Sequence, residues 1–325
     1  METYYKNGIV SNIEYILSDD APFAVQCDKV KHQNILFYPS DNLVRELDSE
    51  LVTLYDAFRD LYFSETDAYY NNLDSIPIGL YNGGQSSGIS IGKDEFLKLK
   101  GAVEAYLPEL AKYIYVGDCQ YLVSTVQNLL SSVEYCFTQY YIQISQVNLS
   151  DDLPCESNIF QYNSDQSMQL MFLVETFFTK MYSILDLMVK IVYELENPTN
   201  DFSSINKLKC SEKLWGDRKR TTLKNAPKTI FEDCESIRII EALRNEAVHN
   251  GSWEFRPLLF LKVENKEIVE RYMLFPDFDE GRLSTVKNRK HFFSQETKIN
   301  DALIAIHDEF YNRLLNTLKI INAKY

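Results

Sequence analysis

Apolar residues recur at helical spacing over several long segments of the chain. Residues 41–63 form an amphipathic pattern behind an Asp/Asn cap. Residues 120–147 are apolar over much of the helical surface, and residues 164–198 are apolar almost all round. Because the latter segment begins with Ser and Asp cap candidates and ends before Pro198, we expect it to be the central buried helix. Similar spacing predicts helices over 93–110, about 230–250 and 298–323.

Two other segments carry patterns typical of strands and turns. Residues 257–275 alternate between apolar and polar positions, which predicts a β-hairpin with its turn near residues 264–266. Residues 75–96 are rich in turn residues, and Asn82-Gly83 stands between short apolar runs. That dipeptide predicts a second hairpin.

These elements together predict a mainly α fold. We expect three or four long helices from about residue 120 onward to form a bundle, with the hairpin at 257–275 inserted in it. The predicted domains are a mixed, mostly helical N-terminal region of unknown role (1–115) and a helical domain (116–325). The chain has 325 residues and 45% hydrophobic residues, which suffices for a large core and argues against disorder.

Composition restricts where the protein acts. No apolar run reaches the roughly 18 residues of a membrane span, and the start METYYKNGIV has no signal-peptide pattern. The six cysteines are scattered without a CxxC pair. We therefore expect a cytoplasmic protein with reduced cysteines, no membrane association, no zinc site and no cofactor.

The charge is distributed unevenly along the chain. The formal net charge is −14 overall, −17 over residues 1–200 and +3 over residues 201–325. The basic run Arg218-Lys219-Arg220 lies in the second part. Such asymmetry is compatible with a local site for a polyanion, and we expect this run to contact RNA backbone. The alternative is an ordinary solvated basic face.

Several isolated motifs do not carry a convincing chemistry. Residues 84–88 match GxSxG, but a turn precedes them and strand-like residues follow, which is the reverse of the strand–turn–helix that a hydrolase nucleophile requires. A flexible loop is the expected structure there. His32, His291 and His307 stand alone and are expected to be structural or surface residues.

The stretch RIIEALRNEAVHNGSW (238–253) differs, because it ends a helix with Arg244, Asn245 and His249 together. Asn245 and His249 are four residues apart and share a helix face, and Arg244 is long enough to reach round to them. We expect the three to converge loosely within one chain. Arginine has a permanent charge and a planar fork suited to phosphate, and histidine exchanges a proton near neutral pH. Together they can cleave RNA without a metal. The alternative is a surface arginine and a histidine that favours the helix C-terminus.

Residues Arg244 to His249 resemble the Arg–polar–x–x–x–His signature of the HEPN superfamily, and the likeness in helix order extends over residues 120–325. The resemblance implies a metal-independent endoribonuclease in which Arg244 binds the scissile phosphate, Asn245 orients the pair and His249 transfers protons. The expected products are 2′,3′-cyclic phosphate and 5′-hydroxyl ends. The resemblance also implies a homodimer with a composite active site, acting as a toxin or as an effector of antiviral defence or abortive infection, with a possible antitoxin or defence-system partner protein.

Two other functions are compatible with the same resemblance. One is a non-catalytic HEPN scaffold or adaptor that binds a nucleotide or a partner protein. The other is a protein that modifies, or is modified by, a partner nucleotidyltransferase, although the motif offers no tyrosine to receive a nucleotide. The hairpin at 257–275 and the overall acidity depart from the expected pattern, so the substrate could be one defined RNA held by few contacts.

Overall fold

The computed structural model describes residues 2–11, 24–28, 33–37, 41–148, 156–203, 205, 221–294 and 297–325. Over these residues the chain is mainly α, as predicted. The helices are α1 Asp41–Tyr62, α2 Thr66–Leu73, α3 Ile78–Tyr81, α4 Lys93–Glu104, α5 Leu110–Ser145, α6 Asp165–Glu196, α7 Glu235–His249 and α8 Ile299–Lys324.

The strands form three small antiparallel sheets. One sheet has the order β2-β1-β3-β4, one has the order β5-β6-β7, and the third is the pair β8-β9. The strands are β1 Glu2–Tyr5, β2 Val10–Ser11, β3 Ala24–Asp28, β4 Gln33–Phe37, β5 Asn158–Tyr162, β6 Leu259–Glu264, β7 Glu267–Tyr272, β8 Phe278–Asp279 and β9 Arg282–Leu283.

The chain divides into two compact units, each built from three separate segments. Unit 1 comprises residues 1–47, 128–184 and 227–317. Unit 2 comprises residues 48–127, 185–226 and 318–325. The domain boundary predicted near residue 115 lies inside α5.

The core of unit 1 is rich in aromatic side chains from the long helices. His307 of α8 is fully buried there, with ring centroids 4.4 Å from Phe137 and 4.0 Å from Tyr311. Its Nε2 lies 2.7 Å from Glu134 Oε1, so the buried imidazole has a polar partner. His307 is therefore a structural histidine, as the sequence predicted.

Arg271 of β7 ties the three-stranded sheet to other parts of unit 1. The side chain is buried and donates hydrogen bonds to the carbonyl of Val147 at 2.6 Å, the carbonyl of Gly8 at 2.8 Å and Asn148 Oδ1 at 3.0 Å. Because a buried guanidinium is costly unless its donors are paired, these acceptors hold the edge of the sheet in place.

Unit 2 has its own aromatic core. The Tyr115 hydroxyl donates to Glu194, and both side chains are buried. The Tyr62 ring packs edge-on against Tyr115 with centroids 5.7 Å apart. Burial and the Glu194 contact together raise the pKa of Tyr115, so the phenol stays protonated.

Most of the predicted helices are confirmed. Helix α1 covers almost all of 41–63, and α6 begins and ends as expected, with Ser164 Oγ accepting the backbone N–H of Ser167 as a cap does. The hairpin at 257–275 is also confirmed. Its turn residues Asn265 and Lys266 both have positive φ, at 51° and 66°, as a two-residue hairpin turn requires.

The hairpin predicted at Asn82-Gly83 is wrong. Residues 78–81 form the short helix α3, and the segment that follows is turns without strands up to α4. Asn82 has φ −108° and ψ −9° and closes α3 with a hydrogen bond to Ile78, so it lacks the positive φ of a tight hairpin turn. The GxSxG stretch is a loop on this exposed segment, as predicted.

Among the described residues, no helix is both long enough and apolar enough to cross a membrane.

Candidate functional site

The end of α7 positions the three residues of the Arg–His motif. The helix ends at His249, and the backbone N–H of Asn250 still bonds to the carbonyl of Glu246 at 2.9 Å. Gly251 follows with φ +87°, a left-handed conformation that glycine adopts without strain. Arg244, Asn245 and His249 therefore occupy the last two turns of the helix.

The three polar side chains meet within one chain. Arg244 Nη1 donates to Asn245 Oδ1 at 2.9 Å and lies 3.3 Å from His249 Nε2. A guanidinium can only donate, so the second contact is a hydrogen bond when His249 is neutral and Nε2 is the acceptor. The sequence had predicted loose convergence. The observed contact is closer, because Arg244 reaches along the helix to His249, where the helix ends.

Tyr182 of α6 contacts the arginine through the face of its ring. The Arg244 guanidinium carbon lies 4.6 Å from the centroid of the Tyr182 ring, which is a cation–π arrangement. Sequence reasoning missed Tyr182, because its helix is apolar almost all round and nothing in that pattern distinguishes one partly buried tyrosine from its neighbours.

The pair is open to solvent. Arg244 and Asn245 are half-buried, whereas Val248 and His249 are exposed. The imidazole and the guanidinium edge can therefore reach a ligand as large as a nucleic acid.

Glu246, on the same helix end, holds a second polar cluster. The residue is 7% exposed, and its carboxylate accepts hydrogen bonds from Lys290 Nζ at 2.6 Å and from Asn250 Nδ2 at 2.9 Å and lies 3.1 Å from His291 Nε2. Burial by itself raises the pKa of Glu246. The hydrogen bonds from Lys290 and Asn250 and the nearby positive charges outweigh it and lower the pKa overall. Glu246 thus stays ionised and fixes the 290–291 loop against α7.

His291 was expected to be a surface or structural histidine. His291 is partly buried and contacts Glu246, and Glu246 stands two residues after Arg244 in the sequence. No local pattern in the sequence predicts this cluster, because Lys290 and His291 lie 44 and 45 residues after Glu246.

A cleft of about 660 Å³ opens beside the helix end. Glu246 and Asn250 of the α7 end line it, together with residues from the start of α6, the loop after α7 and the 290–291 loop. Two further carboxyl groups belong to the cleft. Burial raises the pKa of Glu254 to about 7 and also raises the pKa of Glu175.

The remaining predicted site residues lie elsewhere. The basic run Arg218-Lys219-Arg220 and His32 lie outside the described residues. Within the part of the chain that the structure describes, no group of three or more His, Cys, Asp and Glu side chains is placed to hold a metal ion.

Comparison with known proteins adds no relative. A scan against protein-family models, a search of curated proteins and a search of solved structures each gave no match. The resemblance to the HEPN superfamily therefore rests on the motif and on the helix order.

Proposed function

We propose that this protein is a metal-independent endoribonuclease of the HEPN type, with Arg244, Asn245 and His249 as its catalytic residues. The observation that carries the proposal is the contact between Arg244 Nη1 and His249 Nε2, 3.3 Å apart at an exposed helix end. A phosphate-binding cation and a proton acceptor side by side are the two groups that RNA cleavage requires without a metal. We propose a toxin or antiviral defence effector as its biological role.

The reaction would be an internal transfer of the phosphodiester. The RNA 2′-hydroxyl oxygen attacks the neighbouring phosphorus and passes its proton to His249 Nε2, which exchanges its contact with Arg244 Nη1 for the 2′-hydroxyl. The bond between phosphorus and the 5′ oxygen breaks, and that oxygen receives a proton from an imidazolium. The products are a 2′,3′-cyclic phosphate and a 5′-hydroxyl, and no water is consumed.

The geometry around Arg244 fits its proposed role at the phosphate. Its contacts with Asn245 and His249 both use Nη1. Among the described residues, no hydrogen bond or ion pair engages Nη2 or Nε, so these donors can bind two oxygens of a phosphate. The Tyr182 ring and the Asn245 amide would hold the fork in that orientation before the substrate arrives.

Because of the family resemblance, we also propose that the protein is a homodimer. In a two-fold centre, two Arg–His pairs would face the same RNA, so that one His249 acts as base and the other as acid. The close contact within one chain means that a second copy is not needed to complete the pair itself. Its role would be to supply the second proton-transfer group.

The test is incubation of the purified protein with total RNA in excess EDTA, followed by mapping of the product ends. Wild type should yield 2′,3′-cyclic phosphate and 5′-hydroxyl ends, and His249→Ala should lose about 10²–10⁴-fold in rate. Arg282→Ala is the matched control, because Arg282 is an exposed arginine on β9. Equal products from wild type and His249→Ala would leave the adaptor function as the better explanation.

A further inference from the structure

The cleft beside α7 is adjacent to the Arg244–His249 pair but takes no part in the proposed chemistry. Its wall includes Glu246, two residues after Arg244, and Asn250, the residue after His249. On α6, Glu175 lines the cleft and Tyr182 contacts Arg244. Residues seven apart lie on one face of a helix, about 10 Å apart along its axis. A nucleotide joined to a phosphate at Arg244 can therefore reach the cleft.

The cleft is bordered by large apolar side chains that face solvent. Phe255 is fully exposed, Phe172 is 66% exposed and Met168 is 56% exposed. Exposed apolar side chains gathered around one concavity mark a binding site rather than a random surface. Aromatic faces are the side chains on which proteins stack unpaired bases.

The polar groups of the cleft include carboxyl oxygens without protein partners. Glu175 Oε1 is buried and has no hydrogen-bond partner among the described residues. Glu254 accepts the backbone N–H of Leu258 on Oε1 at 3.3 Å, and no hydrogen bond within the described part of the chain uses its Oε2. A buried carboxyl oxygen with no donor is costly, and a ligand N–H would satisfy it.

Lys290 and His291 also line the cleft, and both contact the Glu246 carboxylate. The Lys290 charge is thus paired with that of Glu246. The cleft therefore combines aromatic side chains with hydrogen-bond acceptors. That combination suits a nucleobase whose edge offers N–H donors and whose sugar is attached to phosphate.

We propose that this cleft binds the base next to the scissile phosphate and selects guanine, with Phe255 and Phe172 as stacking residues and Glu254 as the acceptor. This inference rests on the proposed ribonuclease function. Guanine has its N1–H and N2–H₂ donors side by side, and a carboxylate can accept both at once. Adenine and cytosine each offer one exocyclic amino group beside an acceptor, and uracil offers a single N–H between two carbonyls, so none of them matches both oxygens.

The test measures nucleotide binding by calorimetry at about pH 8, without any turnover, because Glu254 is ionised above its pKa of about 7. The probes are guanosine, adenosine, cytidine and uridine 3′-monophosphates and the 1-methyl derivative of guanosine 3′-monophosphate. Wild type should bind the guanosine nucleotide at least about tenfold more tightly than the other four probes, because a missing donor leaves a partly buried Glu254 oxygen unpaired.

Two variants separate stacking from hydrogen bonding. Glu254→Gln should reduce the preference for guanosine over its 1-methyl derivative to about twofold or less. Phe255→Ala should weaken binding of the guanosine nucleotide by about tenfold. Since Phe255 is fully exposed, its loss should leave the unfolding midpoint unchanged. The controls are Glu267→Gln at the exposed start of β7 and Tyr106→Ala, which removes an exposed aromatic ring outside the cleft.

The outcomes distinguish this inference from the proposed function. Equal binding of all five nucleotides, absence of binding, or binding unaffected by both Phe255→Ala and Glu254→Gln would each overturn the cleft assignment, even if the protein cleaves RNA. If His249→Ala leaves RNA cleavage unchanged while the preference for guanosine persists, the catalytic proposal fails and a guanine-binding cleft without an adjacent scissile phosphate remains. RNA ends enriched in guanine on one side of the cut would support both.

Discussion

The Tyr182 ring lies against the Arg244 guanidinium, with its centroid 4.6 Å from the guanidinium carbon. Cation–π contacts contribute about 0.5–2 kcal/mol, depending on how far water is excluded. Here the contact links a residue of helix α6 to the residue proposed to bind phosphate.

Replacing Tyr182 tests whether this support affects catalysis. Tyr182→Phe keeps the ring and should retain most of the RNA cleavage. Tyr182→Leu removes the π face and should lower kcat/KM by about 2–30-fold, the kinetic equivalent of that contact. A continuous assay on a labelled RNA measures both variants, with Tyr162→Leu on the exposed face of β5 as the control. Equal rates for the Phe and Leu variants would assign Tyr182 to packing alone.

Lysine should not replace Arg244. Arg244→Lys keeps the charge but loses the planar fork, the second phosphate contact and the aligned contacts with Asn245 and His249. We expect its cleavage rate to fall by about 10²-fold, because one charge-assisted hydrogen bond and the orientation of the other are lost. Single-turnover rates with saturating RNA separate this loss from weaker binding. A rate within twofold of wild type would mean that charge alone suffices.

The carboxyl group of Glu254 should make stability depend on pH. Its pKa in the folded protein is raised to about 7 from an ordinary 4.5. Between these values the folded state holds a proton that the unfolded state has lost. The stabilisation is therefore complete below the unfolded pKa and disappears as the pH rises through about 7.

Glu254→Gln removes this titration while keeping the acceptor for the Leu258 N–H. At about pH 8 we expect the free energy of unfolding of the variant to exceed that of wild type by roughly 1–2 kcal/mol, after discounting for the partial exposure of the group. Near pH 4 the two free energies of unfolding should be equal. Urea denaturation at the two pH values measures the difference. Glu267→Gln, at the exposed start of β7, is the control substitution, and a pH-independent effect of Glu254→Gln would contradict the assignment.

A dimer with a shared catalytic centre makes a prediction about mixed subunits. Wild-type protein should sediment as a homodimer at micromolar concentration. Heterodimers of one wild-type and one His249→Ala subunit, purified through two affinity tags, should retain less than about a tenth of wild-type activity, since one of two proton-transfer groups is missing. Half of the wild-type activity would instead indicate two independent sites, each complete in one chain.

Local patterns in the sequence predicted the elements whose structure is decided locally. The period of apolar residues marked α1 and α6, and the alternation at 257–275 marked the β6–β7 hairpin. Strand β5 was missed, because it pairs with β6 about 100 residues later and its own five residues carry no distinctive pattern. The turn at Asn82-Gly83 was misassigned because the same dipeptide also closes a short helix.

The candidate site likewise has residues that local sequence patterns predict and residues that they do not. Arg244, Asn245 and His249 lie within six residues, so helical geometry alone predicted that they converge. Tyr182 and the Lys290–His291 wall reach the site only through tertiary packing, and no spacing in the sequence relates them to α7. Their contribution became visible only once α6 and the 290–291 loop were placed beside the helix end.

Gly251 has a consequence for how this protein can evolve. A side chain at this position would meet no atom within 4 Å, so the residue is set by its φ of +87° and not by crowding. The proposed catalytic residues precede Gly251 in the chain, and the loop with Ser252, Glu254 and Phe255 follows it. Trp253 of that loop is fully buried against Phe178, but Phe255 is fully exposed, so substitutions at Phe255 can accumulate without altering the helix that carries Arg244 and His249. Related chains could therefore diverge in the base that they recognise while inheriting the same reaction unchanged.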